Sequence, residues 1–363
     1  MNKVNAIKRN MDRVRKYRVG GHVMEVELEQ PWRFMEYTPA VKARIEAASR
    51  GEEIPVMPTR AGDEVPARTF VQSAQELPEG RTRGDLDFSQ YEPFRCEDDA
   101  LPMMKLKIFA AEPEWLGREM ADGTISLVLK VDTRPPFYYI YSRGDETIYE
   151  FDSDEQYHIA GTLKVSADGR SGEYYPKPGF GPHTTMFHIS TSLMMLYTYA
   201  TSCHDTLLMH ASVVRYDGRA NLFLGVSGTG KSTHSRLWLS NIEGCDLVND
   251  DNPVLRIEDG LLYVYGTPWS GKTPCYRNMR VQVNSIVRIE QAPRNEIRPL
   301  KGLSAYASVV AAASSIRWQR PLMDSVAATV EKVIGLAPCW TLHCLPDPAA
   351  AALCFSTVCT PKA

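Results

Sequence analysis

The sequence predicts a mixed α/β protein, α+β overall, with a β-rich N-terminal domain over residues 1–180 and an α/β domain over 181–363. Three observations carry that expectation. Alternating or β-branched runs crowd residues 105–175, and Thr184–Thr201, apolar on more than one face, reads as a buried helix. Beyond it the texture changes to strand, Gly-rich loop, helix and strand, the pattern of an α/β core. A chain of 363 residues, 44% of them hydrophobic, is long enough to bury a substantial interior and has the length of about two or three domains.

Taken in order, the first eighteen residues hold Lys3, Lys8, Arg9, Arg13, Arg15, Lys16 and Arg18, with Val4, Ile7, Met11 and Val14 recurring at helical spacing. They predict a short amphipathic helix with a solvated basic face. From Arg50 to about Leu101 the chain is rich in Pro, Gly, Glu, Asp and Arg without periodicity, and reads as a long irregular excursion. The runs "KLKIFA", "TISLVLKV", "FYYIYS", "ETIYEF" and "GTLKVS", separated by turn residues, predict an antiparallel meander over Lys105–Tyr175. The domain boundary falls just before the Thr184–Thr201 helix. Near the C-terminus Leu322, Val326, Val330 and Val333 form a helical stripe, "WTLHCL" reads as a strand, and Asp347-Pro348 reads as the N-cap and first position of a last helix.

Composition removes several function classes. A formal net charge of -3 gives no broad basic field for a phosphate backbone, so nucleic acid is not expected as a partner. No stretch of about 18 uninterrupted apolar residues predicts a membrane span, and no apolar run follows the basic N-terminal residues as in a secretory signal. The expected location is therefore cytoplasmic, where the eight cysteines, none in a C-x-x-C pair, would be reduced thiols. Nothing in the sequence fixes an oligomeric state.

The chemistry is concentrated after residue 205. The apolar run Ala220–Leu224 leads into Gly225, Val226, Ser227, Gly228, Thr229, Gly230, Lys231, Ser232 and Thr233, which matches G-x-x-x-x-G-K-[ST] from Gly225 to Ser232. At average residue usage the four specified positions match by chance in about one such chain in a hundred, before a flanking strand and helix are required. Phosphate binding needs backbone N–H groups turned inward, and glycines such as Gly228 and Gly230 permit the dihedrals and the close approach. Lys231 then meets the β and γ phosphates of ATP, Ser232 offers a hydroxyl to Mg²⁺, and the start of the following helix favours the anion.

Nineteen positions past Lys231, a strand beginning at Leu247 ends in Asp250 and Asp251. Adjacent carboxylates resist simultaneous ionisation, so one can serve a metal while the other accepts a proton; the alternative is a polar turn before Asn252-Pro253. His210, in "LLMHASVV", sits on an expected strand fifteen residues before Gly225, where a lone histidine is usually structural. Lys272 lies near the end of the loop "YGTPWSGKT", and Arg277 and Arg280 follow as cations within reach of transferred phosphate or as members of a solvated loop.

The run "MHASVVRYDGRANLFLGVSGTGKSTHSRLWL", followed by "LVNDDNPVL", resembles the catalytic core shared by HPr kinase/phosphorylase and ATP-dependent phosphoenolpyruvate carboxykinase. In both, a strand histidine precedes a phosphate loop and an Asp-Asp pair follows it. The likeness is greatest to HPr-kinase-related proteins, which include kinases of free serine and of peptide serines, and it covers roughly His210 to Lys272. It implies His210 at the metal-phosphate site, Lys231 and Ser232 on phosphate and Mg²⁺, Asp250 as base with Asp251 nearer the metal, and Lys272 on the γ-phosphate. The segment "LLYVYGTPWSGK" departs from the one HPr kinases use for phosphorolysis, and no arginine cluster before His210 matches the carboxykinase oxaloacetate pocket. The expected activity is thus an ATP- and Mg²⁺-dependent kinase acting on a hydroxyl, that of a serine, free or in a peptide or protein. A small carboxykinase-like enzyme and a non-catalytic ATP-binding regulator are the alternatives.

Overall fold

The computed structural model describes residues 13–35, 43, 85–97, 99–131, 137–152, 158–271 and 273–359. They form a mixed α/β protein with two large sheets. Lys272, most of the irregular excursion and the first twelve residues lie outside the described residues.

The first sheet has nine strands. Its Ser126–Val131, Phe137–Arg143, Glu146–Asp152, Ile159–Val165 and Ser171–Pro176 strands form the expected antiparallel meander. Two expectations fail. Met104–Ile108, which carries "KLKI", is not a meander strand but pairs in parallel with both Ser171–Pro176 and His22–Leu28. Val14–Val19, assigned to an amphipathic helix, is instead a strand antiparallel to His22–Leu28. The cause is visible in the residues: Tyr17 and Val19 alternate with Lys16 and Arg18 at a period of two, and Gly20-Gly21, both at positive φ, turn the chain into a hairpin. At Val14–Val19 strand pairing outweighs the helical reading; residues 1–12 of that expected helix lie outside the described residues.

The helix foreseen around Thr184–Thr201 runs Pro182–Thr201 and buries Ile189, Leu193, Leu196 and Tyr197 in one cluster with Leu106, Leu163 and Tyr174 of the first sheet. The same cluster takes in Leu208, Val254 and Trp269 from the second half. Tyr197 donates its hydroxyl proton to the Val19 carbonyl at 3.1 Å, and Arg256 donates to Gly20 O at 3.1 Å. This helix, apolar on more than one side, therefore packs against both halves.

In the second sheet the strands run Thr206–Leu208, Val254–Glu258, Leu261–Tyr265, Arg280–Gln291, Arg219–Leu224, Ala211–Tyr216 and Asp246–Asp251 across the sheet. Arg280–Gln291 lies parallel to Arg219–Leu224 on one side and to Cys339–Cys344 on the other. The C-terminal stripe is a helix over Arg320–Leu336 with Val326, Val330 and Val333 buried, and Asp347 caps the Pro348–Val358 helix by accepting from Ala350 N at 2.9 Å. All eight cysteines are free thiols.

Candidate functional site

Strand polarity brings the candidate residues to one end of the second sheet. Ala211–Tyr216 is antiparallel to both of its neighbours, with Ala211 opposite Leu224 on one side and Asp251 on the other. The residue before it, His210, therefore stands between the point where Leu224 passes into Gly225 and the point where the acid strand ends. His210 itself lies just outside the strand, as a joint between Thr206–Leu208 and Ala211–Tyr216. Its backbone N–H donates to the Ala312 carbonyl at 2.7 Å.

The Gly-rich segment turns directly from the Arg219–Leu224 strand into the Lys231–Asn241 helix. Gly225 sits at φ 151, and a side chain there would lie 2.5 Å from Thr229 Oγ1 and 3.2 Å from Ile289 O, so only glycine fits. Gly230 precedes the helix at φ 101. No side-chain cap bonds the first turn, and Thr233 and Ser232 stand half-buried at its start. Its N–H groups face the loop as anion donors.

Lys231 is buried, and its ammonium donates to Gly225 O at 2.8 Å, to Val226 O at 3.4 Å and to His210 Nε2 at 3.0 Å. An ammonium can only donate, so Nε2 is the acceptor. The proton of the neutral imidazole then sits on Nδ1, which lies 3.0 Å from Asp251 Oδ1. Lys231, His210 and Asp251 thus form one hydrogen-bonded chain from the Gly-rich loop to the acid strand. Burial lowers the Lys231 pKa, and the negative charges of Asp251 and Asp250 partly oppose that shift.

Asp250 is buried at 3% exposure, whereas the Asp251 carboxylate is about a third exposed. Asp251 has φ 147, an unusual backbone for a residue with a side chain, and strain of this kind gathers at functional sites. The loop after it holds the pair in place. Gly271 N donates to Asp250 O at 2.6 Å and Ser270 Oγ donates to the same oxygen at 3.2 Å. A side chain at Gly271 would press within 3.1 Å of that oxygen and 3.2 Å of Asp251 Cβ. Asn249, fully buried, donates to the Thr267 and Trp269 carbonyls, each at 3.4 Å, fastening the loop's other end.

These fastening residues escaped the sequence reading. "YGTPWSGKT" stood out only for Lys272, although its Gly and Ser content signalled a close backbone approach. Arg277 and Arg280, offered as phosphate-reaching cations, are engaged elsewhere. Arg277 donates to Asp246 Oδ2 at 2.8 Å and to Leu247 O, and Arg280 pairs with Glu258 at 3.0 Å. Each guanidinium has a carboxylate partner, Arg277 on the Asp246–Asp251 strand and Arg280 on the Val254–Glu258 strand.

Beside the loop, a cavity of ≈ 550 Å³ lies at the carboxyl ends of the three parallel strands. Its walls include Gly228, Gly230 and Thr233 together with Leu237, Ile289 and Pro293. A crevice outside the carboxyl ends of parallel strands is where open α/β sheets receive ligands.

No family model matches this chain, and no curated protein matches it either.

Proposed function

We propose that this protein is an ATP- and Mg²⁺-dependent kinase of the HPr-kinase-related type, with that family's phosphate-loop core behind a β-rich N-terminal half. It transfers the γ-phosphoryl group to a hydroxyl, that of a serine in a small molecule, peptide or protein. The observation that carries the reading is the continuous chain Lys231–His210–Asp251, because it ties a phosphate-loop lysine to the acid pair. A loop serving only as a structural turn has no need of that connection.

The residues divide the work as follows. The loop N–H groups and the first turn of the Lys231–Asn241 helix bind the phosphate chain. Lys231, which donates to loop carbonyls and His210 in the structure, turns those donors to the β and γ phosphates, and His210 Nε2 is thereby released to face the transferred group. The residues suit Mg²⁺ in particular. Ser232 and Asp251 offer hard oxygen ligands, and Mg²⁺ characteristically takes one or two such protein ligands plus phosphate oxygens and water. Asp251 and Ser232, with His210 beside them, would hold it, and the ion supplies charge neutralisation across the β and γ phosphates. Asp250 takes the acceptor hydroxyl proton as the new O–P bond forms and the bond to the β-phosphate oxygen breaks, releasing ADP.

The reading is tested by incubating the protein with MgATP and, separately, free serine, serine peptides, and phosphoenolpyruvate with ADP and carbonate, following nucleotide conversion and phosphorylated product. Transfer to a hydroxyl is expected. Conversion only with phosphoenolpyruvate would favour the carboxykinase alternative, and binding without any conversion would favour the regulator.

A further inference from the structure

The backbone of Asp251, at φ 147, is one that few residues with a side chain adopt, and it is from this backbone that the carboxylate reaches His210. The carboxylate is gripped at both oxygens. Oδ1 lies 3.0 Å from His210 Nδ1, and Oδ2 accepts from Asn252 Nδ2 at 3.0 Å. Past Asp251 the pairing with Ala211–Tyr216 stops, so the Asn252 carbonyl is not held by that ladder.

A single hydroxyl holds it instead. Thr267, fully buried, donates its hydroxyl proton to the Asn252 carbonyl at 2.7 Å and accepts from Asn249 Nδ2 at 3.1 Å and from Trp269 N at 3.2 Å. A hydroxyl has one proton and two lone pairs, so every hydrogen-bonding capacity of this one is used. Two of its partners, Asn249 and Asn252, flank the acid pair directly on either side. The third, Trp269, belongs to the loop that brings Ser270 and Gly271 onto the Asp250 carbonyl. Thr267 is itself fixed from behind, because Gly266 N donates to Met279 O at 3.0 Å and a side chain at Gly266 would collide with the Arg277 carbonyl. Valine would fill the same space and satisfy none of the three partners, so what threonine adds at this position is its hydroxyl.

We propose that Thr267 is the positioning residue of the acid pair: its hydroxyl locks both flanks of Asp250 and Asp251, and so holds Asp251 in the strained backbone that delivers its carboxylate to His210 and to Mg²⁺. The inference rests on the kinase reading for what the pair does. Thr267 acts through Asp251 and touches neither nucleotide nor acceptor.

The test uses the full chain and a non-hydrolysable ATP analogue. Affinity for the analogue is measured by calorimetry in EDTA and across a Mg²⁺ series, transfer from MgATP to a serine acceptor is followed separately, and a melting curve is recorded for each variant. Thr267→Val keeps the shape and removes the hydroxyl. Partners that orient a metal-holding group are worth about 10- to 100-fold in metal affinity or activity. The variant should therefore need at least about 10-fold more Mg²⁺ for half-maximal analogue binding and lose transfer by a similar factor, with the parent's affinity in EDTA. Thr267→Ser restores the hydroxyl and should return both values toward the parent's. A Thr267→Val protein that melts lower but keeps the parent's Mg²⁺ dependence and transfer rate would make Thr267 a core residue only and overturn the proposal, as would a Thr267→Ser as impaired as Thr267→Val. Should Thr267→Val not fold, Asn252→Ala decides in its place, since at this half-buried position it spares the Thr267 hydroxyl and removes the amide on Asp251 Oδ2. A raised Mg²⁺ requirement would uphold the proposal and an unchanged one would overturn it. A parent that binds the analogue with Mg²⁺ but transfers nothing would contradict the kinase reading, while the Mg²⁺ dependence of the variants still decides on Thr267. A parent that binds no nucleotide would overturn both.

Discussion

Lys231 holds three acceptors at once, two of them carbonyls of its own loop, and so keeps the loop shaped around the proposed phosphate site. Its replacement removes both the shape and the point charge. Lys231→Ala should lose MgATP affinity and turnover together while circular dichroism and the melting profile remain those of a folded protein. Calorimetry on the folded variant checks this, and unchanged affinity would remove the phosphate-loop assignment. In the proposed mechanism Asp251 acts differently, through His210 and Mg²⁺. Asp251→Asn should raise the Mg²⁺ concentration needed for half-maximal activity, read from activity against Mg²⁺ at fixed ATP; a curve superimposable on the parent's would make Asp251 a turn residue. At this scale the Gly-rich turn between the Arg219–Leu224 strand and the Lys231–Asn241 helix was legible because it is written in local spacing. The φ of 147 at Asp251 and the tautomer of His210 were not, because they arise from residues 21 and 41 positions apart meeting in space.

Among the elements, the loop that fastens Asp250 is tied to the other half of the molecule by a buried hydrogen bond, Trp269 Nε1 to Tyr91 Oη. Burial pushes the Tyr91 hydroxyl up to about 12, so it is a neutral donor and acceptor at all working pH values. Tyr91→Phe would leave the Trp269 N–H buried without that acceptor, costing about 1–3 kcal/mol of stability. Denaturant unfolding should register that loss. Transfer should slow with little change in MgATP affinity, since the phosphate loop is on other strands; equal stability and equal rate would show that the two halves meet without consequence. Neither this brace nor the parallel placement of Met104–Ile108 was readable from sequence, since strand order depends on pairings between residues far apart in the chain. The Arg219–Leu224 strand, the Asp246–Asp251 strand and the capped Pro348–Val358 helix were readable, because each carries its own local signal.

At the scale of the whole molecule, burial holds three histidines neutral: His22 is lowered to about 3, and His188 and His234 to about 4. Each binds a proton more readily unfolded, with an ordinary value of 6.5, than folded. Above pH 6.5 neither state is protonated and they impose no penalty. As the pH falls from 6.5 toward 4 the unfolded chain gains protons that the folded one refuses, and stability drops by up to about 1.4 kcal/mol per pH unit for each histidine. His188 is the cleanest probe, since its ring stacks on Phe151 at 5.1 Å and its Nδ1 has no hydrogen-bond partner among the described residues. His188→Phe should keep the stacking and flatten the loss of melting temperature between pH 6.5 and 5; an unchanged slope would assign the acid sensitivity to other groups. The described residues contain no helix long and apolar enough to cross a membrane, in keeping with the hydropathy of the sequence.

Asp250 tests the central claim, because a base and a metal ligand fail in different ways. The measurement is single-turnover phosphoryl transfer from MgATP to a serine acceptor by the parent and by Asp250→Asn, with nucleotide affinity determined calorimetrically on the same preparations. Asn keeps the shape of the buried side chain and removes its basicity, so MgATP should bind with near-parent affinity while transfer falls by about 10²- to 10⁴-fold. Parallel loss of binding and transfer would place Asp250 with the metal and leave the proton without an acceptor, and unchanged transfer would contradict the kinase mechanism itself.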